Sequence, residues 1–564
     1  MIGIKNSLVS AVQRVCGYPP ERENQDHPLA VAQQNSNFFS KLISLFLNFL
    51  HIFWTIFRQG SIVSLMYTFS FMLVSIGILI NRDSTDEAET AAVAPITTML
   101  SLFFGLFLSP LFAVSILVSG YLGEIQELKN SEAIELHQIA ASEETESIQP
   151  VKLSQKEEFQ LRVGNMFRKS LGLSAALTPF VMLPLLLAKP LLVFLGQSIA
   201  VATYVAQFTM IFALAALAMF IRVTSEQIAI ANDRATPMMG IALFDLAWGT
   251  ALAIILGRIM GIPGIAIACT AQIFADAFFD ILYLYNSKAF KDFKLFNFRQ
   301  KMSNSSQAWG KIGWFGGGIA VTTFSQTLTT FVTSLEAGLL PAPAQSIWGV
   351  ILTVLFFFSI PTYAFGAICA KEVSHDRKAK NYQHANQKAK YGLLTVLLCI
   401  LIPCIALGLY PQILTVLLSL DETISASVKQ ILPIMLPAIT ADALRYNLFQ
   451  QLRALDYEKF PTIVSFLGML LSVVTTGVGF KTDELSNVAW GYLVASLAQL
   501  FVLLLRWLPE IQPSRIQEVR ENKNPPGYLS ALSSCVATLY PCRKGPEVTP
   551  ENASSNTPSN HVAP

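Results

Sequence analysis

Two aspartates, Asp245 and Asp276, have the residue type and setting for ion chemistry. Each stands in an apolar run long enough to cross a bilayer, where a charged side chain costs about 2.5–3.5 kcal/mol on insertion scales and so marks a functional position. At a helical rise of about 1.5 Å per residue, Asp245 lies about 10 Å and Asp276 about 13 Å from the same-side ends of their runs. Consecutive antiparallel helices then hold both carboxyls at similar depth, where they could share a proton or a sodium ion. The alternative is a pair of hydrogen-bonded or permanently protonated aspartates that only help helices pack. Asp280, one turn further on, is expected at a solvated interface. Asp442 stands three residues before Arg445 on one helix face, which leaves a local ion pair and a coupling role both open.

Other side chains bear on binding and motion. Tyr67, Phe112, Trp248, Phe279, Trp348 and Tyr363 carry ring faces that could take an organic cation, with lipid or core packing as the alternative for each. Pro110 and Pro361 lie inside long runs. Each removes a backbone hydrogen bond, giving either a static kink or a bend that moves. No glycine-rich phosphate loop is present, the cysteines are scattered, and the histidines form no constellation. The expectation is a chain that is not an enzyme and carries no cofactor or metal.

These residues need elements to hold them. The chain has 564 residues, 53% hydrophobic and 13% charged. A typical soluble domain is about 25% charged, so too little polar surface exists to coat a water-soluble globule. The reading is an all-α polytopic membrane protein. Its net charge of +2 gives no reason to expect a nucleic-acid partner. Twelve apolar runs could span: 61–80, 92–118, 170–190, 199–221, 238–258, 263–285, 312–335, 343–369, 390–410, 425–448, 461–480 and 487–507. The connecting segments alternate in charge, with Arg222, Lys371, Arg377 and Arg453 among those assigned to the basic set. The positive-inside rule puts that set and both termini in the cytoplasm of a protein of the cell membrane, inner or plasma.

The expected organisation is a segment 1–37, an interfacial amphipathic helix 38–57, an N-lobe 58–285 and a linker 286–311. A C-lobe 312–508 and a disordered tail 509–564 follow, with an acidic loop over 124–160 inside the N-lobe. The lobes read as copies. Ala94-Pro95-Ile96 with Ser109-Pro110 recurs as Ala344-Gln345-Ser346 with Ile360-Pro361. Lys189-Pro190 recurs as Tyr410-Pro411, and Ala231-Asn232-Asp233 as Ala454-Leu455-Asp456. Six plus six spans in parallel orientation would enclose a central cavity.

The chain resembles the multidrug and toxic compound extrusion (MATE) family over roughly 58–508. The likeness rests on Gly261-Ile262-Pro263-Gly264 with Ala266 and Ala268, and on Leu339-Leu340-Pro341 followed by Ala344-Gln345-Ser346. It rests also on Thr440-Ala441-Asp442-Ala443-Leu444 followed by Arg453 and Asp456. The resemblance implies two pseudo-symmetric six-helix lobes and alternating access. It further implies a monomer exporting amphiphilic, often cationic compounds by H⁺ or Na⁺ antiport. Asp245 matches the fifth-span aspartate of DinF-like members and Asp442 the C-lobe aspartate of NorM-like members. Asp245, Asp276 and Asp442 are then the cation-coupling candidates, and Tyr67, Trp248, Gln326, Gln345 and Tyr363 the candidates lining a substrate cavity. Pro110 and Pro361 are the gating bends. The first span lacks the family's carboxylate, Ile241 stands where Asn is common, and Gln326 or Ser325 replaces a seventh-span Glu. A flippase for lipid-linked sugars, the alternative in the same superfamily, would need a cavity lined with Arg and Lys.

Overall fold

The computed structural model describes residues 47–69, 92–141, 149–299, 305–337, 342–418, 422–480 and 485–521. Two units divide at Trp54 and Thr55. Of the first, only 47–54 is described, and it is helical. In chain order the helices are α1 (47–69), α2 (Val93–Ala141), α3 (Gln149–Leu186), α4 (Ala188–Phe194), α5 (Ile199–Ala213) and α6 (Ala216–Ala231). Next come α7 (Ala235–Met260), α8 (Ile262–Asn286), α9 (Ser305–Ala337), α10 (Ala342–Lys378) and α11 (Tyr382–Leu409). The last are α12 (Gln412–Leu418), α13 (Glu422–Ala454), α14 (Lys459–Phe480), α15 (Leu485–Glu510) and α16 (Pro513–Glu521).

Among the described residues nine helices are long and apolar enough to cross a bilayer, and ten if α5 and α6, bent by 57° at their junction, count as one span. The helices are inverted relative to those of a soluble protein. α7 exposes Phe244, Ile255 and Ile259 while it buries Asp245, and α8 exposes Phe274 and Phe278 while it buries Asp276. Lipid takes the apolar side chains, so polar ones must find partners inside. Two cores result. One is built from α2 through α8, and the other from α9–α11 and α13–α16 with Ala113 and Ile116 of α2.

The repeat expected from sequence is visible in backbone detail. Short helices α4 and α12, seven residues each, follow α3 and α11 at the matched Pro190 and Pro411. The turns after α6 and α13 both place an aspartate in the left-handed region, Asp233 at φ 58° and Asp456 at φ 67°. Both aspartates take a cation from α10. Lys371 pairs with Asp233, and Arg377 Nη2 lies 2.5 Å from Asp456 Oδ2. One helix thereby ties the matching turns of both lobes.

Several expectations fail, for identifiable reasons. The helix α1 runs unbroken through Arg58-Gln59-Gly60, where a surface helix was expected to end and a span to begin. A single glycine does not break a helix. Much of the expected acidic loop is helical, because α2 continues to Ala141 and α3 starts at Gln149. Lys371 and Arg377 belong to α10 rather than to a loop, and both are buried. So are Arg222 in α6 and Arg453 in α13. Hydropathy ends a span at its first charge, but a helix continues wherever that charge has a partner.

Candidate functional site

The hairpin of α7 and α8 brings the two sequence-singled aspartates together. Its turn needs glycine twice. Gly261 adopts φ 64°, with its N–H donating to Gly257 O at 2.8 Å, and Pro263 sets the first turn of α8. A Cβ on Gly264 would collide with the Leu256 carbonyl, so the helices leave the turn in backbone contact. That packing puts Asp245 near enough to Asp276 for the two carboxyls to interact electrostatically. Trp248 Nε1 donates to Asp245 Oδ1 at 2.6 Å. Asp245 Oδ2 has no donor among the described residues.

The site is larger than this pair. On α8, Gln272, Asp276 and Asp280 are spaced by four and share one buried face. That face packs on α6, where Arg222, Glu226 and Gln227 point inward. Arg222 Nε donates to Glu226 Oε1 at 2.9 Å, and Arg222 Nη1 lies 3.3 Å from Asp276 Oδ2. Arg222, Glu226, Asp245, Asp276 and Asp280 are each no more than 3% exposed. Four buried carboxyls thus cluster with one guanidinium, two of them in direct contact with it. Asp280, expected at a solvated interface, is part of this cluster. Arg222 and Glu226 escaped sequence reading because they lie just past the expected end of the fourth span. The spacing of 222 and 226, one helical turn, was the available signal.

The C-lobe holds a smaller polar centre. Arg445 donates from Nη1 to Gln499 Oε1 at 2.6 Å, pairs through Nη2 with Asp442, and lies with Cζ 5.4 Å from the Phe449 ring centroid. Beside it is a polar cavity, lined by Ser325, Gln326, Thr329, Ser465, Ser472 and Ser496 among others, with room for a water-sized occupant. Here one carboxyl meets one guanidinium, so Asp442 is in the ion pair that its spacing allowed.

Between these centres lies an aromatic and amide cluster. Gln227 Nε2 donates to the Tyr67 hydroxyl at 2.9 Å, and Gln450 Nε2 to the Tyr446 hydroxyl at 2.7 Å. Tyr363 stacks edge-on against Tyr446 at 4.5 Å and donates to Gln326 Oε1 at 3.4 Å. The structure therefore joins Tyr363 to Gln326 and leaves Tyr67 with Gln227. Trp248, grouped with these by sequence, is instead engaged by Asp245. The side chain of Gln345 lies outside those described. Pro110 and Pro361 both sit inside continuous helices, α2 and α10. These helices cross where Ser119 Oγ donates to Lys371 O at 3.2 Å and Ser374 Oγ to Ile116 O at 3.1 Å.

Residues 319–477, from within α9 to the end of α14, match the MatE family model. Solved structures agree in fold over most of the chain. A eukaryotic MATE transporter, AtDTX14, superposes with a TM-score of 0.69 at 17% identity, over 84% of this chain and 99% of its own. A MOP superfamily transporter from Pyrococcus furiosus scores 0.68 at 13% identity, over 83% and 97%; reversed polarity of its binding pocket suggests a different function for it. The Vibrio cholerae MATE transporter VcmN, in its bent form, scores 0.64 at 13% identity, over 82% and 98%. No curated protein matches the chain in sequence.

Proposed function

We propose that this chain, a MATE-family transporter by fold and by its MatE match, exports amphiphilic, cationic organic compounds by H⁺ or Na⁺ antiport through alternating access. The observation that carries this reading is the count of buried charges around Arg222. Four carboxyls at most 3% exposed cluster with a single guanidinium, which touches Glu226 and Asp276. Burying unpaired ionised carboxylates is costly, so the excess has to be met by bound protons or a metal cation. A site whose neutral form needs an external cation is what antiport requires, provided its access alternates between the two membrane faces.

In this scheme Asp245 and Asp276 hold the ion, Arg222 fixes the geometry of Glu226 and Asp276, and Trp248 orients Asp245. The substrate lies between the lobes near Tyr67, Tyr363 and Gln326, where ring faces suit organic cations. In the same scheme Pro110 in α2 and Pro361 in α10, each lacking a backbone donor, are the points at which these helices bend as the lobes rock. The Lys-rich end of the bundle faces the cytoplasm of the plasma or inner membrane, and the transporter works as a monomer. Flipping of lipid-linked sugars calls for cations free to meet phosphate. Arg222, Arg445 and Arg453 are each engaged by protein groups.

The test is transport in proteoliposomes with imposed pH and sodium gradients and a panel of organic-cation dyes. Wild-type protein accumulates dye when either gradient drives it, and folded Asp245→Asn protein does not. Undiminished ion-driven transport in Asp245→Asn removes the N-lobe site from the mechanism. Flux that ignores both gradients makes the chain something other than an antiporter.

A further inference from the structure

Arg222 and Arg445 are separated in sequence by the same interval as Asp233 and Asp456, the matched left-handed turns, and as Asp276 and Gln499. The repeat therefore puts the two arginines at equivalent points of the lobes, each bonded to the equivalent residue of the sixth span in its lobe. What surrounds them differs. At the same interval Glu226 becomes Phe449, Asp245 becomes Gly468, Asp276 becomes Gln499, and Asp280 becomes Leu503. The one C-lobe carboxyl, Asp442, stands where the N-lobe has Met219.

We propose that the C-lobe centre is a pocket built for a monovalent cation, in which the Arg445 guanidinium, part of the cavity's wall, supplies the positive charge as a tethered ion. Its walls suit a hard cation. Asp442 and the oxygen-bearing residues Ser325, Gln326, Ser465, Ser472 and Ser496 line one small cavity. Within it the positive charge is supplied by the chain itself, held by Asp442, Gln499 and the face of Phe449. A tethered charge loses no translational freedom on binding, and it repels any second cation at the same carboxyl. In the N-lobe one arginine among four acids leaves room for a free ion; in the C-lobe one arginine against one acid leaves none. Arg445 is thus a specificity residue that confines free cations to the N-lobe. This inference rests on the C-lobe geometry rather than on coupling at Asp245, so the two fail separately.

Equilibrium binding of radioactive ²²Na⁺ to purified full-length protein in detergent tests it, read as the difference between each variant and wild type. Arg445→Gln removes the charge and is expected to bind one more Na⁺ per chain than wild type does. Arg445→Lys keeps a tethered cation and is expected to bind no more than wild type. Adding Asp442→Asn to Arg445→Gln removes the carboxyl and is expected to abolish the extra ion. An Arg445→Gln protein with no added Na⁺, or one whose added Na⁺ survives Asp442→Asn, overturns the proposal. Should Arg445→Gln fold poorly, the Tm of its folded fraction supplies the readout. It should rise with Na⁺ concentration by mass action, and more than that of the double variant. Equal rises in the two overturn it as well.

Discussion

The N-lobe and C-lobe centres share a backbone plan and differ in charge. Each places an arginine on the inner face of the fourth span in its lobe, reaching toward the sixth. In the N-lobe the guanidinium is outnumbered four to one by buried carboxyls, while in the C-lobe the ratio is one to one. The neighbours also change from acids to Phe449, Gly468 and Leu503, none of which carries a charge. Duplication thus preserved a scaffold while substitution decided how many buried acids each copy holds around its arginine. Helix packing is repeated faithfully because it depends on shape, whereas the charge count turns on a few side chains.

The sharpest way to break this comparison is to remove each arginine. Arg222→Met leaves four buried acids without their cation, and loss of a buried ion-pair partner typically costs about 3–5 kcal/mol. Its Tm and its yield in detergent should fall well below those of Arg445→Met, in which one acid is stranded. Equal losses would mean that the lobes carry equal charge burdens. Next in size are the transport variants. Asp245→Asn should lower ion-driven efflux by roughly tenfold or more, the scale of a strong coupling energy, whereas Asp442→Asn should leave its ion dependence intact. Reversal of that order in proteoliposomes would move the coupling site to the C-lobe.

Two smaller effects sharpen the picture. Gln499→Ala strands a donor of the buried Arg445 guanidinium and should cost about 1.5–3 kcal/mol, while Asp276→Asn also removes one of the excess buried acids and should cost less. Thermal or denaturant unfolding of the two variants distinguishes these values. The turn aspartates give the case in which the lobes should agree. Asp233→Asn and Asp456→Asn each withdraw a carboxylate from a buried cation of α10, and Asn tolerates the left-handed backbone. Both should cost about 1–3 kcal/mol, and a clear inequality between them would argue against α10 serving the two lobes alike.

Much of this was legible in the chain. Apolar run length fixed the helical membrane class, because lipid leaves backbone groups no other partners. Paired Pro and Asp signals exposed the duplication, and consecutive antiparallel spans put Asp245 and Asp276 at similar depth. Arg222, Glu226 and Asp280 could not be placed in this way. Along the chain they read as the polar edge of a span, and only their packing between α6 and α8 buries them. Burial of a charge is a property of its neighbours in space, and those neighbours come from helices far apart in sequence. Local pattern therefore determined which segments enter the membrane and that they do so twice over. Tertiary contact alone decided that the acids of one lobe outnumber their arginine while the single acid of the other is already matched.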